Sequence, residues 1–259
     1  MMNRIAKAFE HHKALIPFIT CGDPDLETTE RLVRAMVEAG ADPVELGLPF
    51  SDPTAEGPVI QAADDRALKN GMTTEKAFGL VKRLRETIDV PIVFMTYANV
   101  VYSYGIEEFM RESEEAGADG LILPDVPYEE APEFSEAAGN HSLALISMVA
   151  PTSDERIARI ASEAEGFLYI VSSLGVTGIR SKISTDIGSL VRKIREVTDL
   201  PCAVGFGISS SAQAQDMAAL SDGAIVGSAI VRKIGEKGKD GVEDVASFVR
   251  ELAEAVHQA

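Results

Sequence analysis

The 259-residue chain is 46% hydrophobic and 25% charged, a balance that suits a folded core and excludes disordered, collagenous and low-complexity classes. A formal net charge of −17 excludes broad binding to nucleic-acid phosphates, which needs clustered Lys and Arg, so an anionic ligand must be held locally. No apolar run reaches the roughly 18 residues of a membrane span, and the opening MMNRIAKAFEHHK has no signal-peptide core, so a cytoplasmic protein is expected, without membrane or nucleic-acid partners.

Strand-like runs rich in Val, Ile, Leu and Phe begin with LIPFITCG (15–22) and PVELGLP (43–49). They recur as PIVFMTYA (91–98), GLILPD (120–125), LALISMVA (143–150), FLYIVSS (167–173), CAVGFG (202–207) and GAIVGSAI (223–230). Helix-period segments stand between them, including ETTERLVRAMVEAG, EEFMRESEEAG, DERIARIASEAEG and DIGSLVRKIREVTD, several ending in Gly as helix C-termini do. Alternation of this kind requires a parallel sheet, and runs that are apolar throughout require cover on both faces. Eight units in a chain of this length predict an α/β fold, a closed (β/α)8 TIM barrel, in one domain spanning 1–259; an open doubly wound sheet is the alternative. EAGADPVELG, EAGADGLILP and LSDGAIVGSA echo one another at the passage from helix to strand. Cys21 and Cys202 lie far apart in apolar runs, which predicts two core thiols. His11, His12, His141 and His257 show no ligand spacing, and no metal is expected.

In a barrel, working groups project from the C-terminal ends of the strands. Polar residues at those places are Asp23, Glu45, Asp52, Glu56, Tyr97, Asn99 and Asp125. Glu45 interrupts an apolar run, so its pKa should be raised by desolvation; Glu56, in a turn rich in Pro, Gly and Ser, should stay ionised. The last three runs end in SSLGVTG, GFGISS and VGSA, where glycine lets backbone N–H groups approach an anion and a following helix adds its dipole. Together they predict a phosphate cradle with contacts at Gly178, Gly207, Gly227 and Ser228. GFGISS is not a dinucleotide fingerprint, because Ser210 replaces the third Gly.

PFITCGDP, ELGLPFSDPTAEGPVIQ, TYAN, PDVPYEE, LGVTG, GFGISS and GSAIV, in this order over nearly the whole chain, resemble the tryptophan synthase α subunit family. The resemblance implies retro-aldol cleavage of indole-3-glycerol phosphate to indole and glyceraldehyde 3-phosphate in a (β/α)8 barrel. It also implies a β-subunit partner in an α2β2 heterotetramer, with pyridoxal phosphate on that partner and no cofactor in this chain. Glu45 then corresponds to the family's acid/base glutamate and Glu56 to its second catalytic carboxylate. Similar proteins often read ADGP where this chain reads AEGP, and some carry Arg at the position of Ser173. Phe18, Met95 and Tyr169 are candidates to line an indole slot, with Tyr97 as a further substrate contact. Thr177 is a candidate partner for Glu56, and Asp52 and Asp125 are candidates for loop and subunit contacts. Two other readings are a lyase that releases indole without a partner and a silent barrel that only activates one.

Overall fold

A computed structural model of the chain describes residues 4–171, 186–205 and 207–259. Nine parallel segments form one sheet: β1 (Ala14–Thr20), β2 (Val44–Gly47), β3 (Ile92–Met95), β4 (Gly120–Ile122), β5 (Ala144–Leu145), β6 (Ser147–Val149), β7 (Leu168–Val171), β8 (Cys202–Gly205) and β9 (Gly223–Val226). Their hydrogen-bonded order is β5-β4-β3-β2-β1-β9-β8-β7-β6. The eight expected runs are all present, and the fifth is divided. β5 pairs with β4, β6 pairs with β7, and the two are consecutive in the chain on either side of Ile146. One stave of the barrel therefore serves two ladders and closes the ring. Its first part meets β4 and its last part meets β7, as the stagger between neighbouring strands of a tilted barrel allows.

Inside and outside alternate along each strand as the pleat requires. Leu15, Ile19, Leu46, Phe94, Leu121 and Val204 face the helices and belong to the larger core. Ile16, Val93, Ile122, Tyr169, Ala203 and Ile225 face inward and fill the barrel. Strands covered in this way on both faces must be apolar throughout, which is why they lacked polar alternation in the sequence. Ile5, on a short N-terminal helix (Arg4–Lys7) that the sequence reading did not place, joins the interior cluster and is fully buried. The surrounding helices carry the expected terminal signals. Asp25 accepts a hydrogen bond from the Thr28 amide at 2.7 Å to start Leu26–Glu38, and Gly117, at φ +93°, ends Ile106–Ala116. Cys21 and Cys202 are buried free thiols, pushed up by burial to about 12 and about 11. Among the described residues no helix is long and apolar enough to cross a membrane.

Asp119 organises the N-terminal rim. Its Oδ1 accepts from Arg4 Nη1 at 3.1 Å, and its Oδ2 accepts from Arg85 and from the Ile92 amide, the latter at 2.9 Å. The carboxylate is nearly buried and binds the start of β3 to the entry of β4. Removing one partner from such a buried charged network leaves the rest uncompensated, so Asp119→Ala should lower the unfolding free energy by about 3 kcal/mol or more. A urea melt of the variant against the parent measures this, and a loss within error of zero would show that the network contributes nothing.

Candidate active site

The C-terminal ends of the strands surround a cleft lined mainly by apolar side chains, with a few polar groups among them. Phe18, Glu45, Glu56, Tyr169, Gly207, Gly227 and Ser228, separated in sequence, meet in its lining, together with Met95. Ser173, Thr177 and Gly178 lie outside the described residues.

Glu45 occupies an inward position of β2, level with Phe18 of β1 and Val93 of β3. It is 0% exposed, and neither carboxylate oxygen meets a hydrogen-bond partner among the described residues. Burial alone pushes its pKa up to about 8, so the group is protonated near neutral pH and able both to give and to retake a proton. Space around it is made by absent side chains. A Cβ at Gly47 would lie 2.5 Å from Phe18 Cζ, and one at Gly205 would lie 2.5 Å from the Tyr169 hydroxyl oxygen. Glycine at these two strand ends thus lets both rings lie across the barrel mouth beside Glu45.

Glu56 departs from its sequence expectation. The residues around it in the chain are polar, yet the folded loop leaves the side chain only 6% exposed. Burial raises its pKa, with the like charge of Asp125 acting in the same direction. A hydrogen bond from Tyr97 opposes them. The Ala55 amide donates to the Tyr97 hydroxyl oxygen at 3.1 Å, which leaves the phenolic hydrogen to point at Glu56 Oε2. Tyr97 is itself buried behind Glu56 and does not line the cleft, so its place is that of a support for the carboxylate. Asp125 accepts from the Ala98 amide at 3.1 Å and thereby starts the helix Ala98–Tyr104.

Two acidic groups behind the cleft matter here. Asp23, which the sequence placed at a strand end, is buried and held by both forks of Arg66, at 2.7 and 2.8 Å. Asp64 was not singled out. It sits on the helix Pro58–Lys69, eight positions beyond Glu56, 5% exposed, and accepts a 3.3 Å hydrogen bond from Thr20. Burial, then the charge of Glu56, pushes it up to about 8. The available signal was its helical phase: Ile60, Ala63, Asp64 and Ala67 form the buried face of that helix, and one of the four is an acid.

The glycine-bearing end of β9 leads directly into a helix. Gly227 precedes Ser228–Lys237 with no side-chain cap, so the first-turn N–H groups at the cleft wall have no side chain bonded over them. Gly207 adopts φ +86°, a left-handed conformation that favours glycine. The neighbouring helix Ser211–Leu220 is different, since Ser210 caps it by accepting from the Gln213 amide. The uncapped terminus at Ser228 is therefore the better anion site of the two.

A closed parallel barrel with an acid-bearing apolar cleft at the C-terminal strand ends is the arrangement of a (β/α)8-barrel enzyme. The family model described as "Tryptophan synthase alpha chain" matches residues 5–258. A tryptophan synthase alpha chain from Caldanaerobacter subterraneus subsp. tengcongensis is 47% identical over 262 residues, covering 98% of this chain and 100% of that one. One from Lactiplantibacillus plantarum is 50% identical over 234 residues, 90% of this chain and 89% of the other. Among solved structures, Mycobacterium tuberculosis tryptophan synthase superposes with a TM-score of 0.90 at 35% identity, covering 99% of both chains. A chain of the tryptophan synthase α2β2 complex of Pyrococcus furiosus gives 0.83 at 36% identity, with 94% of this chain and 99% of that one covered. The chain belongs to the tryptophan synthase alpha chain family, a lyase family of tryptophan biosynthesis that cleaves indole-3-glycerol phosphate to indole and glyceraldehyde 3-phosphate.

Glu45 and Asp64 are both raised in the folded chain. Between about pH 4 and pH 8 the native state holds protons that the unfolded chain has released, so their contribution to stability is complete below that window and is lost as pH rises through it. Glu45→Gln should therefore raise Tm near pH 9 by at least the ~2–4 °C that 1 kcal/mol gives a chain of this size, with the gain shrinking toward pH 5. Calorimetric scans across that range check it; a gain of equal size at both ends would contradict the assignment of a buried proton.

Proposed function

We propose that Glu45 and Glu56 carry the proton chemistry of this cleavage while the uncapped helix terminus at Ser228 holds the substrate phosphate. The observation that supports it best is the isolation of Glu45, a buried acid with its pKa raised and no hydrogen-bond partner among the described residues, in the same cleft as that terminus. Indole leaves poorly as a carbanion, so the ring is first protonated at C3, and Glu45 is the acid available. The positive charge this creates reaches N1, where the Glu56 carboxylate, held by Tyr97, accepts a hydrogen bond from N1–H, which stays on the ring. Glu45, now ionised, takes the proton of the hydroxyl on the carbon attached to the ring. As that oxygen forms a carbonyl, the carbon–carbon bond breaks and its electron pair returns to the ring. Indole and glyceraldehyde 3-phosphate result, with Glu45 protonated again. One group serves as acid and then as base, which suits a pKa close to neutrality.

Phe18, Met95 and Tyr169 supply flat or polarisable surface for the ring; Gly207, Gly227 and Ser228 supply N–H groups to the phosphate, with Thr177 and Gly178 proposed to complete the site. We place the β subunit as partner in an α2β2 assembly, where it receives indole and carries pyridoxal phosphate; the step assigned to this chain uses proton transfers alone. The likeness to the Pyrococcus furiosus α2β2 complex supports this, and gel filtration with a β subunit tests it. The cleavage reaction and the charge of −17 agree with a cytoplasmic setting.

Glu45→Gln keeps shape and polarity but cannot cycle a proton, so indole formation should fall roughly 100-fold or more while a glycerol-phosphate analogue still binds. Glu56→Asp should retain substantial activity and Glu56→Ala should lose most of it, because only the second removes the charge. Parental turnover in Glu45→Gln would remove that residue from the mechanism, and parental turnover in Glu56→Ala would reopen the silent-barrel reading. Ser228→Asp places a carboxylate at the helix start, where it suits the fold but competes with phosphate. KM should rise about 10-fold or more with kcat less affected, and an unchanged KM would move the phosphate elsewhere.

A further inference from the structure

At the opposite rim of the barrel, three potential metal ligands converge from distant parts of the chain. His12 lies just before β1, Asp42 just before β2, and His257 ends the C-terminal helix (Val242–His257), 215 residues from Asp42. Their ligand atoms all lie within 4.8 Å of one another. His257 Nε2 is 2.9 Å from Asp42 Oδ2, and His12 Nε2 is 3.8 Å from Asp42 Oδ1. We propose that His12, Asp42 and His257 form a site for one divalent transition metal, Zn2+ in the first instance, separate from the substrate cleft.

The surrounding bonds orient each ligand. His12 Nδ1 donates to the Lys13 carbonyl oxygen at 3.1 Å, which holds the ring with Nε2 turned toward Asp42. Asp42 Oδ2 accepts from the Leu15 amide at 2.8 Å, so the carboxylate is anchored to β1. The His257 ring packs over Gly40, where an added Cβ would stand 3.5 Å from its Cε1. The two imidazole rings pack with centroids 4.0 Å apart and planes tilted by 36°, which brings a nitrogen of each to the one carboxylate.

Bonds of 2.0–2.1 Å in a tetrahedral zinc site put neighbouring ligand atoms about 3.3 Å apart, and the two separations here lie on either side of that value. Two imidazoles and one carboxylate suit zinc or its neighbours better than calcium or magnesium. The His12 side chain is 38% exposed, which leaves a way in and room for water as a further ligand. Bound there, the ion would join the entries of β1 and β2 to the last helix, a clasp that sequence spacing could not display.

The test uses the untagged full-length chain, stripped with a chelator and titrated with Zn2+ by calorimetry. One equivalent should bind and raise Tm, and Co2+ should give the visible bands of imidazole coordination. His12→Gln is the decisive variant, since that ring is exposed and leaves the His257–Asp42 bond intact. It should weaken zinc binding by at least the roughly 10–100-fold that loss of a mere outer-shell partner costs, and should abolish the rise in Tm. His11→Gln and His141→Gln should change neither, and indole formation should be the same with and without zinc. Absence of stoichiometric binding in the parent would overturn the site, as would unweakened binding in a folded His12→Gln.

Discussion

A carboxyl group kept inside an apolar barrel, with no cation beside it among the described residues, is the constraint on which the site depends. The inward phase of β2 removes Glu45 from water, and its neighbours offer ring faces and glycines in place of charge. Pairing it with Arg or Lys would have lowered its pKa and kept it ionised. Isolation costs stability at neutral and alkaline pH, and the extensive apolar core on both faces of the sheet offsets that cost.

The second carboxylate is handled differently. Glu56 is also buried, but it is bonded to Tyr97, whose own lone pair is occupied by the Ala55 amide. Two groups of the same chemical type are thus separated by their partners more than by depth. The Glu56 side chain reaches back to that phenol. Asp64, beneath the same loop, introduces a third acid. Burial, and then the opposing charge of Glu56, push Asp64 up to about 8.

Strand count, parallel order and closed architecture were legible in the sequence because uninterrupted apolar runs occur only where both faces are covered. The Gly at 117 marked a helix end through chemistry that acts within one turn, whereas the cap at Asp25 was not read from the sequence. Glu45 stood out as an acid in such a run. The burial of Glu56 did not show, because a turn of Pro, Gly and Ser looks solvated until the loop folds over the cleft. Asp64 was hidden for a related reason: a buried acid next to the exposed Asp65 on the same helix is noticed only when its phase is counted. Closeness between His12 and His257 is a product of tertiary packing, and no local pattern encodes it.

Sharing one stave between two ladders has a mechanical consequence. β1 to β5 make one half-shell and β6 to β9 the other. They are joined along the ladder of β1 with β9, four residues in register from Ala14 to Pro17, and at the chain crossing of Ile146. The first joint is broad and hydrogen-bonded; the second is a single residue wide. Glu45 and Glu56 belong to one half-shell, and Gly207, Gly227 and Ser228 to the other. A molecule long enough to touch both groups works as a strap across the mouth, and its grip bears on how far the two halves can spread about the β1–β9 hinge.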